Sequence, residues 1–168
     1  MNAEVFALER ALVAAATTGG GLPTHSQAAI GAVASRHLAV GTPRSFAIVG
    51  DGERAADSLA AHLTWFDPKD LRATDPAIAA AIGARVVSLD EALAADIVCI
   101  HPPRTRIAAS QLRRGTHLNA LGPLDIEDGL VARHVHPEEL ARIAAGFVDG
   151  RQLDEITIFN GGGPKGIL

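Results

Sequence analysis

Six consecutive residues, Gly50-Asp51-Gly52-Glu53-Arg54-Ala55, have the types and spacing of a turn that receives a diphosphate. Gly50 permits a sharp turn. Gly52 has no Cβ, so backbone can come close to a phosphate. Ala55 is small enough for a following helix to pack tightly on the preceding strand. The free N–H groups at the start of that helix then face the anion. Asp67 lies 17 residues after Gly50 and is read as closing the second strand, where a carboxylate can hold ribose hydroxyls. A carboxylate there repels a 2′-phosphate and favours NAD over NADP, although Lys69 and Arg72 close by could reverse that preference. Asp51 and Glu53 oppose an anion unless their side chains turn to water, with Arg54 as a partial counter-charge. The same glycines would also serve a strand-to-helix turn that holds no ligand.

Other groups have types that could carry chemistry. His101-Pro102-Pro103 falls at the carboxyl end of the expected fourth strand, so His101 either lines a cofactor cleft or is a hydrogen-bonded loop histidine. His134 and His136 would share one face of a strand, but no Cys or carboxylate at ligand spacing completes a metal set, and surface histidines are expected. Cys99 sits in an apolar run and reads as an inert core residue. No G-x-S-x-G elbow or Ser/His/Asp order is present. Gly161-Gly162-Gly163-Pro164-Lys165-Gly166 reads as a flexible tail, or else as an anion-binding nest with Lys165 as counter-charge.

The elements that must position these groups follow from period and punctuation. Ala3 to Thr17 carries Val5, Leu8, Leu12 and Val13 on one face, which predicts an amphipathic helix ended by Gly19-Gly20-Gly21. An Ala-rich helix is expected from Ser26 to Ala39, stopped by Gly41-Thr42-Pro43. Short apolar runs at Ser45–Val49, Leu63–Phe66, Arg85–Val87, Ile97–Ile100 and His117–Leu121 read as strands, with a sixth at Phe147–Val148. Helices are expected between them at Glu53–His62, after Asp75-Pro76, after the capping box Ser88-Leu89-Asp90-Glu91, and from His136-Pro137. Strands that are apolar throughout are buried on both faces. The expected fold is therefore α/β: a doubly wound, mostly parallel, Rossmann-type sheet with an N-terminal helical arm. Residues 1–42 form the arm, 43–150 the dinucleotide-binding domain and 151–168 a C-terminal segment.

Composition narrows the class. The chain has 168 residues and a net charge of −4, which excludes a generally basic nucleic-acid binder or a polybasic membrane patch. Aromatic residues are 4%, with no Tyr, too few for a stacking platform for single strands. One Cys excludes a disulfide framework. No apolar run approaches a membrane span and the N-terminus lacks a basic signal start, so a cytoplasmic protein is expected.

The order of motifs resembles the C-terminal two-thirds of the ornithine cyclodeaminase/μ-crystallin family, which includes alanine dehydrogenases and ketimine and pyrroline-carboxylate reductases. The matching pieces are Ala28–Ala39, Ile48–Ala55, Ala94-Ala95-Asp96-Ile97-Val98, Gly115–Gly122 and Asp154–Phe159. The resemblance implies a nicotinamide cofactor, NAD or NADP, and a small amino or imino acid oxidised at the carbon bearing nitrogen. By the same analogy Asn119 could reach the nicotinamide, or else be a buried amide satisfied by its neighbours.

The departures matter as much. The family's N-terminal substrate and dimerisation half is nearly all missing, and its Arg-Thr pair falls at Ser26-Gln27. Its catalytic Asp two residues after Gly122 falls at Leu124, with Asp125 one step on. Asp125 is either a displaced acid–base group or a solvated loop carboxylate beside Glu127 and Asp128. Its Lys-Ser-Val-Gly falls at Asn160-Gly161-Gly162-Gly163, with Pro164 interrupting the helix beyond. A truncated cofactor-binding protein, not a self-sufficient cyclodeaminase, is expected. The alternatives are an active oxidoreductase or cyclodeaminase completed by oligomerisation or a partner chain, and a non-catalytic protein-interaction module. The first helix would normally cover the missing half, so a homodimer or heteromer is expected through its apolar stripe.

Overall fold

The structure, a computed structural model, describes residues 2–161. Helix α1 (Ala3–Thr18) is capped by the Asn2 side chain, which accepts from Glu4 N–H at 3.0 Å, and is closed by Gly19 at φ 70°. Helix α2 (Gln27–Leu38) is capped by Ser26, whose hydroxyl accepts from Ala29 N–H. The chain then alternates strand and helix. The order is β1 (Ser45–Val49), α3 (Asp57–His62), β2 (Asp70–Ala73), α4 (Pro76–Ile82), β3 (Arg85–Val86), α5 (Leu89–Leu93) and β4 (Ile97–Ile100). It continues with β5 (Thr105–Ile107), β6 (His117–Ala120), β7 (Leu124–Ile126), β8 (Arg133–Val135), α6 (Pro137–Ala144) and β9 (Thr157–Asn160). Asp75 caps α4 and the Ser88–Glu91 capping box starts α5, both at the positions read from sequence.

Seven strands form one parallel sheet in the order β3-β2-β1-β4-β6-β9-β8, while β5 and β7 pair as a small parallel annex. The order runs outward in opposite directions from β1 and β4, so the switch point lies between them. Alternate residues of the buried strands face opposite layers. Ala47, Val49, Val98, Ile100, Leu118, Ala120 and Ile158 pack with Ala92 and Leu93 of α5. On the other face Phe46, Ile48, Ile97 and Cys99 pack with Ala55 and Leu59, and Phe159 packs with the helices α1, α2 and α6.

Several elements differ from the sequence reading. Leu63–Phe66 is not a strand: it is the exit from α3, where Trp65 and Phe66 pack against the core as partly buried side chains. The second strand is Asp70-Leu71-Arg72-Ala73, whose partly exposed, charged residues carry little strand signal. Phe147-Val148 forms no strand, and Phe147 is exposed. The strand that enters the sheet after α6 is β9, within the stretch read as a C-terminal segment. Residues 53–56 are a turn, so α3 begins only at Asp57. The stripe on α1 is not bare. Val5, Leu8 and Leu12 are buried in one cluster with α2 and with Leu140, Ala141 and Ile143 of α6. The arm is thus part of the core, and the ground for a dimer through that stripe falls away. No helix among the described residues is long and apolar enough to cross a membrane. The Gly162–Gly166 stretch, read as a tail or nest, lies outside the described residues.

Candidate nucleotide crevice

The first strand-to-helix turn lies beside the switch point, where open α/β sheets bind ligands. Gly50 has φ 100°, and its N–H donates to Thr74 Oγ1 at 3.2 Å. Ala55 is fully buried beneath the turn. The backbone N–H groups of Gly52, Glu53 and Arg54 donate to no acceptor among the described residues. Three consecutive amides without partners on a turn make a concavity suited to an anion. Asp51 and Glu53 are exposed, so their charges are spent in water. Arg54 turns to Asp57 at 2.8 Å, which raises its pKa through that hydrogen bond and charge. On the residues present, the turn fits a diphosphate.

The groups expected around it are placed otherwise. Asp67 stands three residues before β2, and β2 runs parallel to β1 with Ser45 opposite Asp70. Asp67 is therefore at the amino edge of the sheet, across from the crevice, where it pairs with Lys69. It cannot hold a ribose at the carboxyl edge, a correction that follows directly from the shifted second strand. The residues at the carboxyl end of β2 are Thr74 and Asp75. Thr74 is tied to the turn, and the Asp75 carboxylate is committed to Ala77 N–H and Ile78 N–H, each at 2.9 Å. In the sequence Asp75 stands out only as a cap, and the one sign of Thr74 is its place directly before that cap.

Asn119 also points away from the crevice. Its side chain lies in a buried network on the face covered by α2 and α3. Asn119 Nδ2 donates to Ser35 Oγ at 2.8 Å, and Asn119 Oδ1 is 3.1 Å from His117 Nε2. Ser35 Oγ is 2.8 Å from His62 Nε2, and His62 Nδ1 is 2.7 Å from the Ser58 carbonyl. Because a carbonyl only accepts, Nδ1 of His62 carries the proton and Nε2 accepts from the Ser35 hydroxyl. The Thr157 hydroxyl lies 2.8 Å from both His117 Nδ1 and the Leu38 carbonyl. Burial holds His62 down to about 4 and His117 down to about 3, so both rings are neutral. Cys99, in the same layer, is pushed up to about 12 by burial and stays a thiol. Asn119 is thus the satisfied interior amide of the two readings.

His101 lies at the rim but is only 3% exposed, with Nε2 2.8 Å from Ser58 Oγ. Burial lowers it to about 4. It borders a cleft of about 140 Å³ with Ser26, Gln27, Ala28, Arg54 and Asp57. Pro102 follows and lies against the turn: the Asp51 N–H donates to the Pro102 carbonyl at 2.8 Å. Asp125 is on β7, in the annex, with Oδ1 2.6 Å from Arg104 Nη1. Half-exposed and ion-paired, it has the setting of a surface carboxylate. No group of three or more metal-ligating side chains occurs among the described residues.

No protein-family profile matches the chain, and no curated relative does. Solved structures do match. An archaeal alanine dehydrogenase dimer with bound NAD superposes with a TM-score of 0.71 at 23% identity, over 79% of this chain and 56% of that one. The iminosuccinate reductase of Paracoccus denitrificans in complex with NAD+ gives 0.68 at 21%, over 79% and 56%. The Δ1-pyrroline-2-carboxylate reductase of Thermococcus litoralis, in complex with NADH and L-proline, gives 0.64 at 20%, over 79% and 57%. The chain spans a little over half the length of each. At these identities the likeness establishes the fold, a Rossmann-type, doubly wound, parallel α/β sheet.

Proposed function

We propose that this chain is a nicotinamide-dinucleotide-binding domain of the kind carried by the ornithine cyclodeaminase/μ-crystallin family, without a substrate site of its own. One observation carries the reading: three consecutive uncommitted amides, Gly52 to Arg54, on the first strand-to-helix turn beside the switch point of a parallel sheet. Structural neighbours described with NAD+ or NADH support the choice of ligand. The turn amides would hold the diphosphate, and the NAD, NAD+ and NADH named for the neighbours favour NAD over NADP. When bound, the nicotinamide would supply hydride transfer at a carbon bearing nitrogen. What this chain itself contributes is the phosphate cradle. Asp125 is bound to Arg104 and Asn119 to the interior, so neither is offered to a substrate.

A second reading rests on length. Because the chain spans a little over half of its neighbours, a second chain could complete an amino- or imino-acid site. Such a partner would dock elsewhere than on the α1 stripe, which α6 covers. A cytoplasmic location belongs to the same proposal.

Calorimetric titration of the chain with NAD, NADH, NADP and NADPH tests the first reading, with Gly52→Arg as control. Saturable binding lost in the variant is expected. Absence of heat with all four nucleotides would refute it. Turnover of amino acids or cyclic imines with NAD(H) by the chain alone would overturn the claim that it lacks a substrate site.

A further inference from the structure

The crevice is flanked by different contacts on its two sides. A dinucleotide bound across a switch point lays one mononucleotide half over β1 to β3 and the other over β4 and the strands beyond. On the first side the Gly50 N–H reaches Thr74, and Thr74 and Asp75 are both partly exposed. On the second side the backbone leaving β4 comes close against the turn. His101 is pinned to Ser58, and Pro102 runs between two glycines. A Cβ on Gly122 would lie 2.5 Å from Pro102 N and 2.6 Å from the His101 carbonyl carbon. One on Gly50 would lie 2.4 Å from the His101 carbonyl oxygen, and one on Gly52 3.1 Å from Pro102 Cδ. Contacts below 3 Å to backbone cannot be relieved by a side-chain rotation, so Gly50 and Gly122 are required by the chain's own path. The Asp51–Pro102 hydrogen bond ties this segment across the turn. From above, Gln27 Nε2 donates to the Leu121 carbonyl at 2.9 Å and joins α2 to the end of β6.

We propose that the crevice takes the adenosine-diphosphate half of its ligand and shuts out the nicotinamide half, with His101–Pro102 as the occluding segment. This rests on the nucleotide-binding reading above and sharpens it: the chain holds a dinucleotide by one end. Glycines that signal a dinucleotide in the sequence are here shared between a phosphate and the segment leaving β4.

Titration of the full chain with ADP, ADP-ribose, NAD and nicotinamide mononucleotide, joined to saturation-transfer NMR on bound NAD, tests this. The expected result is that ADP, ADP-ribose and NAD bind within about two-fold of one another and the mononucleotide does not bind. Saturation should reach the adenine protons and bypass those of nicotinamide. NAD binding more than about ten-fold tighter than ADP-ribose, or equal saturation of both rings, overturns the proposal and leaves the nucleotide reading intact. No binding of any adenine nucleotide overturns both. Pro102→Gly removes the ring from between Gly52 and Gly122. It should make NAD bind at least about three-fold tighter than ADP-ribose. An unchanged ratio in a folded variant removes Pro102 from the role.

Discussion

The Nε2 of His62 stands 2.8 Å from the Ser35 hydroxyl, so α3 and α2 are joined through a ring that takes a proton rather than gives one. The geometry needs that ring neutral, and burial keeps His117, deeper in the layer, neutral as well. An unfolded chain protonates its histidines near their ordinary 6.5. The folded chain does so only at about 4 for His62 and His101 and about 3 for His117. Between those values the unfolded state holds more protons, so stability is full above 6.5 and falls as pH drops towards 4. Each ring contributes a slope of about 1.4 kcal/mol per pH unit within its window. Urea denaturation between about pH 7 and pH 5 should show the decline, and His62→Gln should make it shallower. A flat profile would show that these rings accept protons in place.

Asn119→Ala removes the amide that joins Ser35 to His117, leaving both with one partner fewer in a dry layer. A loss of roughly 2–4 kcal/mol of stability is expected from the unpaired groups and the small cavity. Nucleotide affinity should be unchanged in the folded variant, because the side chain points away from the crevice. A ten-fold weaker titration with NAD would return Asn119 to the ligand.

Gly50→Ala combines two faults. A side chain at φ 100° is strained, and its Cβ would meet the His101 carbonyl oxygen at 2.4 Å. The expected cost is about 2–4 kcal/mol, read as a fall in the chemical denaturation midpoint. Gly41→Ala is the control, since nothing lies within 4 Å of its added Cβ. It should change stability by less than about 0.5 kcal/mol. Equal effects at the two positions would contradict the close approach of the β4 exit to the turn.

Leu12→Ala tests whether α1 belongs to the core. Leu12 is fully buried against α2 and α6, so its truncation should cost roughly 2–5 kcal/mol. The loss should not depend on protein concentration, because the cover is within the chain. A midpoint that rises with concentration would place the stripe in an interface between chains.

The sequence carried the central strands because β1, β4 and β6 are buried on both faces, and an apolar run between turn residues has few other uses. It carried two caps as well, since Asp75 and Ser88 each satisfy backbone N–H groups within three residues. Less local features were hidden. Leu63–Phe66 looks like a strand because it is a short apolar run, but Leu63 is exposed and the partly buried Trp65 and Phe66 serve packing at a helix exit. The true β2, Asp70–Ala73, is half-exposed and holds Arg72 against Asp70. That slip carried Asp67 to the wrong edge of the sheet. β5, β7 and β8 are three residues each, too short for a period to show. Within the crevice the glycine turn was legible as a pattern. Its closure by Pro102 was not, because the contact joins residues 51 and 102, and nothing in either neighbourhood announces the other.

Strand β9 lies between β6 and β8, although it is the last of the three to be made. During synthesis β8 therefore has no hydrogen-bonding neighbour until residues 157–160 leave the ribosome. A chain halted before Thr157 would leave two raw edges, on β6 and on β8, each a template for joining another molecule.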